Sequence, residues 1–198
     1  MKTIICQRFL CILVIAGLAG CGGGTPMRIF VLTSPAQTSA NFTPDVHLPR
    51  YELVQVRIPD YLDTTDILHQ TGAQEFAASP TGRWGERLST GITRALAASL
   101  ASRLPDLSIL IDPPDVTTRR IMVTIEHINF APSGVCSLSA HWEITGSTNN
   151  GEKQIAQGTF LSPPGPTDDP GEAAALRTAI AQLADAIKDT LRTTLSRS

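Results

Sequence analysis

Val135-Cys136-Ser137-Leu138-Ser139-Ala140-His141-Trp142-Glu143-Ile144 is apolar at each even position from Cys136 to Ile144 and polar at each odd position between them. That two-residue period belongs to a β-strand with one face on a core and the other toward solvent. Just beyond it, Asn149-Asn150-Gly151 carries the asparagine–glycine signal of a tight hairpin, so 153–161 is expected to return as an antiparallel neighbour. Upstream, 120–130 holds Ile121, Val123 and Ile125 in one phase and Ile128 and Phe130 in the other. A phase switch inside one strand needs an extra residue, which predicts a β-bulge near Glu126-His127.

Three further strands are read outward from this set. Residues 107–111 form a short apolar run closed by Asp112-Pro113-Pro114. Residues 51–58 place Val54, Val56 and Ile58 on one face until Pro59 removes a ladder donor. Residues 27–32 (MRIFVL), apolar but for Arg28, predict a buried strand, and the proline-rich 33–49 predicts a loop. Two segments have helical spacing. In 83–104, Trp84, Leu88, Ile92, Leu96, Leu100 and Leu104 recur every four residues, Thr81 or Ser79 is placed to cap, and Gly91 implies close packing. In 172–195, Leu176, Ile180, Leu183, Ile187, Leu191 and Leu195 form a second stripe, with Asp168 and Asp169 as candidate caps. Acidic residues at its start and Arg192 and Arg197 near its end suit the helix dipole. The order strand, strand, helix, four strands, helix predicts an α+β domain: a single largely antiparallel sheet with two long helices packed on one face.

The chain has 198 residues, 42% hydrophobic and 17% charged, with a net charge of −2. That length predicts one domain, and the balance lacks the basic excess that phosphate binding demands, so no nucleic-acid partner is expected. The apolar residues are unevenly spread. Residues 1–21 read MKTIICQRFLCILVIAGLAGC, with Lys2 and Arg8 ahead of an apolar run over 9–16. The run is shorter than the roughly 20 residues a membrane span needs, and its order is that of a secretory signal peptide. Leu18-Ala19-Gly20-Cys21 resembles the bacterial lipobox. That resemblance implies cleavage of 1–20, a diacylglyceryl group on the Cys21 thiol and an acyl group on its new amine, with 21–26 as a flexible tether and 27–198 as a single domain. Gly22, where an aspartate would act as an inner-membrane retention signal, implies an outer-membrane anchor on the periplasmic face. The mature chain would have 178 residues, a charge of −4 and two cysteines, Cys21 carrying lipid and Cys136 a core thiol. An intramolecular disulfide would then have no partner.

Little in the sequence offers reaction chemistry. His47, His69, His127 and His141 include no pair at helical metal-ligand spacing. No nucleophile elbow, phosphate loop or dinucleotide turn is present. Asp112, Asp115, Asp168 and Asp169 stand beside prolines or glycines, as turn formers and caps do. The expectation is therefore no catalytic residue, no metal and no cofactor beyond the lipid on Cys21.

One combination is more specific. Val56-Arg57-Ile58-Pro59-Asp60-Tyr61-Leu62-Asp63 is followed some twenty residues later by Arg83-Trp84-Gly85-Glu86-Arg87-Leu88. With the lipobox, the early apolar strand and the long last helix, this resembles the ABC-type transport auxiliary lipoprotein family over nearly the whole mature chain. Phe30 stands where the family usually has tyrosine, and Gly85 where a larger helix former is common. Read physically, Pro59 ends a strand, Tyr61 and Leu62 fold back onto the core, and Trp84 anchors the start of the first helix; alternatively Asp60 to Asp63 and their neighbours present a surface to a partner. The resemblance implies a non-enzymatic accessory subunit, docked to an MCE-domain protein of an ABC-type system that moves lipids or hydrophobic compounds and supports membrane integrity, and assembled as a homo-oligomeric ring. A different envelope role, as a secretion-channel pilot or lipopolysaccharide-assembly partner, stays open at this point.

Overall fold

A computed structural model describes residues 26–33, 48–72, 74–113, 119–146 and 153–195. Its elements run β1 (Arg28–Phe30), β2 (Arg50–Leu53), β3 (Asp66–Gly72), β4 (Glu75–Trp84), α1 (Leu88–Arg103), β5 (Ser108–Leu110), β6 (Arg120–Phe130), β7 (Cys136–Thr145), β8 (Gln154–Leu161) and α2 (Asp169–Leu195). The class is α+β, but the single antiparallel sheet is replaced by two mixed sheets, ordered β1-β4-β3 and β5-β2-β6-β7-β8. Within them β1 runs parallel to β4, and β2 runs parallel to both β5 and β6. Parallel neighbours need a long return connection, and the β3–β4 hairpin followed by α1 supplies the one from β2 to β5.

The meander β6-β7-β8 is the antiparallel part. In β7 every even residue from Cys136 to Ile144 is buried, as the alternation requires. The register of β6 slips between Ile125 and His127, where the phase switch demands the bulge. The Asn149-Asn150-Gly151 turn lies outside the described residues. Against the apolar face of this meander sits α2, whose Leu176, Ile180, Leu183, Ile187 and Leu191 are all buried. Trp142 Nε1 donates to Thr190 Oγ1 of α2 at 3.1 Å, so the indole is buried with its polar atom satisfied. α1 packs beside α2, and Arg103 grips Asp185 with two bonds of 2.9 and 3.2 Å.

Several expected elements move. The strand over 51–58 is regular only to Leu53. Leu53 pairs with Ile121 and Arg57 with Thr124, so four steps on one chain meet three on the other. This extra residue is a bulge, and it shifts the buried set to Tyr51, Leu53 and Val56. The bulge leaves the Val56 N–H without a ladder partner, and it donates instead to Thr93 Oγ1 of α1 at 2.9 Å. Residues 66–84, of which 83–84 are expected to open the first helix, are a hairpin. Trp84 therefore ends a strand, and α1 begins at Leu88. The strand over 27–32 is not buried: β1 is an edge strand with Ile29 72% exposed. Gly91 is buried without being crowded, since a Cβ there would meet Leu32 Cδ1 at 3.5 Å, an ordinary contact.

Candidate functional site

The two halves of the proline-to-leucine motif meet in space. Pro59 opens a tight turn in which the Leu62 N–H donates to Pro59 O and the Asp63 N–H to Asp60 O, at 2.9 and 3.2 Å. That turn buries Leu62 and delivers Asp63 to the start of α1. Asp63 Oδ1 accepts from the Ser89 N–H at 3.1 Å, and Oδ2 accepts from Arg87 Nε at 3.1 Å. Arg87, at the N-cap position, makes no side-chain capping bond, so the cap of α1 comes from a residue remote in sequence. Partial desolvation pushes the Asp63 carboxyl upward, but the bonds from Ser89 and the Arg87 charge outweigh it and hold the carboxyl below its ordinary value. The backbone continues the joint: the Leu88 N–H donates to Thr64 O and the Trp84 N–H to Thr65 O.

The remaining motif residues divide by exposure. Trp84 and Leu88 are buried. They line a small cleft with Leu62, Leu68, Phe130 and Leu176, whose free space is about 20 Å³, roughly one water molecule. Arg83 pairs with Asp66, its register neighbour, at 3.2 Å, and Glu86 pairs with Arg94 at 2.8 Å. Asp60 and Tyr61 point outward. Tyr61 does not fold back onto the core: it is 50% exposed and packs, its ring tilted by 39°, at 5.3 Å from the Phe76 ring of the hairpin, itself partly exposed. Cys21 and the lipobox residues Leu18, Ala19 and Gly20 lie outside the described residues.

A second polar cluster joins the hairpin to the N-terminus of α2. His69 Nδ1 lies 3.0 Å from Glu172 Oε1, and His69 Nε2 lies 3.5 Å from Asp169 Oδ1. Asp169 Oδ2 accepts from Ser79 Oγ at 3.0 Å and from Thr81 Oγ1 at 2.7 Å. Ser79 and Thr81 thus anchor β4 to α2 instead of capping α1, while Asp168 caps α2 through the Gly171 N–H at 3.0 Å. A Cβ at Gly82 would stand 2.5 Å from Asp169 Oδ2, so any larger residue there would have to displace this carboxylate. Burial pushes the Glu172 carboxyl up; the His69 charge and hydrogen bond pull it down, Asp169 and Asp168 add to the rise, and the net shift is upward. Nothing near His69 in the chain marks this contact; its only signal is the acidic start of the helix 100 residues downstream.

Chemically, this cluster is a joint. Ser79 bonds a carboxylate and not the imidazole, so it is not arranged as an activated nucleophile. Among the described residues no group of three or more His, Cys, Asp or Glu side chains is placed to hold a metal. Cys136 is fully buried, and burial together with the Glu172 charge pushes its thiol up to about 12. His141 lies on the open face of β7, 3.1 Å from Glu126. Among the described residues, no helix is long and apolar enough to cross a membrane.

Comparison with known proteins agrees with the motif reading. The model of the family described as ABC-type transport auxiliary lipoprotein component matches residues 30–188. The chain is 22% identical over 136 residues to the intermembrane transport lipoprotein PqiC of Escherichia coli, covering 69% of this chain and 73% of that one. The fold is shared with the crystal structure of an uncharacterised protein at a TM-score of 0.66 and 18% identity, covering 82% of this chain and 96% of the other. It is also shared with a Xanthomonas campestris protein at a TM-score of 0.60 and 10% identity, covering 88% and 98%.

Proposed function

This chain belongs to the family of ABC-type transport auxiliary lipoprotein components, and from that premise we propose that it is the outer-membrane-anchored, non-enzymatic accessory subunit of an envelope transport system for lipids or hydrophobic compounds. The observation that carries the reading is the family match over residues 30–188 on a chain that also has Leu18-Ala19-Gly20-Cys21 behind a basic and apolar leader. Acylation at Cys21 provides two or three chains, enough for stable anchoring where one would be marginal. Gly22 in place of aspartate supports the outer membrane and its periplasmic face. The similarity to a lipoprotein named for intermembrane transport supports a role between two membranes.

The partner is an MCE-domain protein, and the docking surface is the outward part of the motif. Asp63, Trp84 and Leu88 are committed to the fold, whereas Asp60 and the Tyr61–Phe76 pair are free to be covered. A partly exposed aromatic pair beside a carboxylate has the composition of an interface centre with a polar rim. The subunit assembles as a homo-oligomeric ring around the conduit. A photocrosslinking residue placed at Tyr61 in intact envelopes is expected to give an adduct with an MCE protein. Normal expression with adducts to other proteins and none to an MCE protein would refute the partnership; a Cys21→Ala variant that still incorporates labelled fatty acid would refute the anchor.

A further inference from the structure

The first strand carries an apolar face that the fold leaves open. Met27, Ile29 and Val31 are 47%, 72% and 48% exposed. Ile29 lies in the strand and Met27 and Val31 flank it at two-residue spacing, the period that places residues on one face, while Phe30 packs against the core and Leu32 is buried within it. β1 is an edge strand, hydrogen-bonded on one side to β4. Beneath the open face lies the backbone of Gly85: a Cβ there would come 2.9 Å from Val31 Cγ1 and 3.2 Å from Ile29 Cγ2. The departure from a larger residue at Gly85 therefore lets these two side chains lie flat and form a continuous strip. Arg83, in register with Ile29, stands at its margin, paired with Asp66. Exposed apolar edges invite association and are usually blunted by charge, proline or a cover.

Chain length selects the cover. Six peptide steps separate Cys21 from Met27, a reach of at most roughly 20 Å even when fully extended. A lipid on Cys21 thus keeps this strip within a short distance of the headgroups. We propose that Met27, Ile29 and Val31 form a membrane-contact strip that seats the domain on the bilayer beside its anchor. This rests on the acylation of Cys21 under the reading above. The acyl chains supply the affinity, and the strip supplies orientation, turning a tethered domain into one with a fixed face toward the lipid.

The test uses the acylated protein in vesicles of phosphatidylethanolamine and phosphatidylglycerol. Ile29→Cys and, as the control, Ile155→Cys on β8, which is 65% exposed, each carry an environment-sensitive fluorophore. Cys136 is fully buried and does not compete for the label. Spin-labelled lipid is then added and quenching is read, with intact mass reporting acylation separately. The expected result is a blue-shifted Ile29 probe quenched several-fold more than the Ile155 probe. Acylated protein with equal quenching at the two sites overturns the strip. Mass showing an unmodified Cys21 overturns the anchor reading, and the strip with it. A blue shift at Ile29 without vesicles, accompanied by a larger sedimenting species, identifies a second copy of the chain as the cover and also overturns it.

Discussion

Asp63→Ala removes the acceptor that closes the first turn of α1 from 26 residues away. The Ser89 N–H, on a buried residue, loses its bond to Oδ1, and Arg87 loses its partner at Oδ2. Loss of an N-terminal cap costs about 0.5–2 kcal/mol, and a negative charge at a helix start contributes about 0.3–1 kcal/mol. The Arg87 pair adds little, because its side chain is 66% exposed and such pairs contribute only about 0–1 kcal/mol. These contributions overlap in one carboxylate, so the expected loss is about 1.5 kcal/mol, or about 3–6 °C in Tm for a domain of this size. Urea unfolding of the unlipidated domain reads it directly, since both tryptophans, Trp84 and Trp142, are buried and report the transition. The midpoint should fall with an unchanged m-value. Asp63→Asn keeps an acceptor and should lose less than about 1 kcal/mol. The pH dependence has a fixed sign. The folded carboxyl lies below its ordinary 3.8, so its charge-dependent stabilisation is full above the unfolded value, near 3.9, and is lost as the pH falls through the folded one. The gap between parent and Asp63→Ala should therefore narrow from pH 5 toward pH 3. A penalty within about 0.3 kcal/mol of zero at pH 7, or one that widens toward pH 3, would refute a charged Asp63 cap.

Four further outcomes follow from the packing. Gly91→Ala should raise stability by about 0.5–1 kcal/mol, because the helix gains alanine's propensity and the methyl meets only ordinary contacts; a lower urea midpoint would contradict it. Gly134→Ala should destabilise by at least about 1–3 kcal/mol, since Gly134 holds φ +75° and a Cβ would strike the Gly165 backbone; a soluble variant with the parent Tm would sink this. The Cys136 thiol, held up to about 12, should react with Ellman's reagent at pH 8 only at the rate of unfolding, so fast labelling of the folded domain is the contrary result. Glu172 is raised above its ordinary 4.5; a raised carboxyl favours the fold at low pH and loses that advantage as pH rises through its folded value. Glu172→Gln should flatten this decline, and an unaltered pH–stability profile would rule out Glu172 as its source.

The legible parts of the fold were those with local periodicity. β7 shows it in five alternating apolar residues, β6 in a phase break that fixed its bulge, and α2 in a stripe sustained for about five turns. The hairpin β3–β4 was hidden because Glu75 to Ala78 are exposed on both faces and Pro80 interrupts the run; no period-2 burial exists to be read. Trp84 was misplaced because it stands four residues before Leu88, continuing the helical spacing by coincidence into a strand. Of the candidate site, the motif residues were found but not their roles. Asp63 as a remote cap, and His69 between Asp169 and Glu172, depend on partners 26 to 103 residues away, which leave no spacing in the chain.

The sequence alone determined the class, the meander, the long last helix, the core thiol and the family, since each rests on patterns of neighbouring residues or on a motif. Tertiary structure decided the division into two mixed sheets, the start of α1, the joints that unite the motif halves and the open face of β1. Those depend on which backbone donors find partners across the fold, as with Val56 and Thr93 or Ser89 and Asp63, and on what is left uncovered once they have.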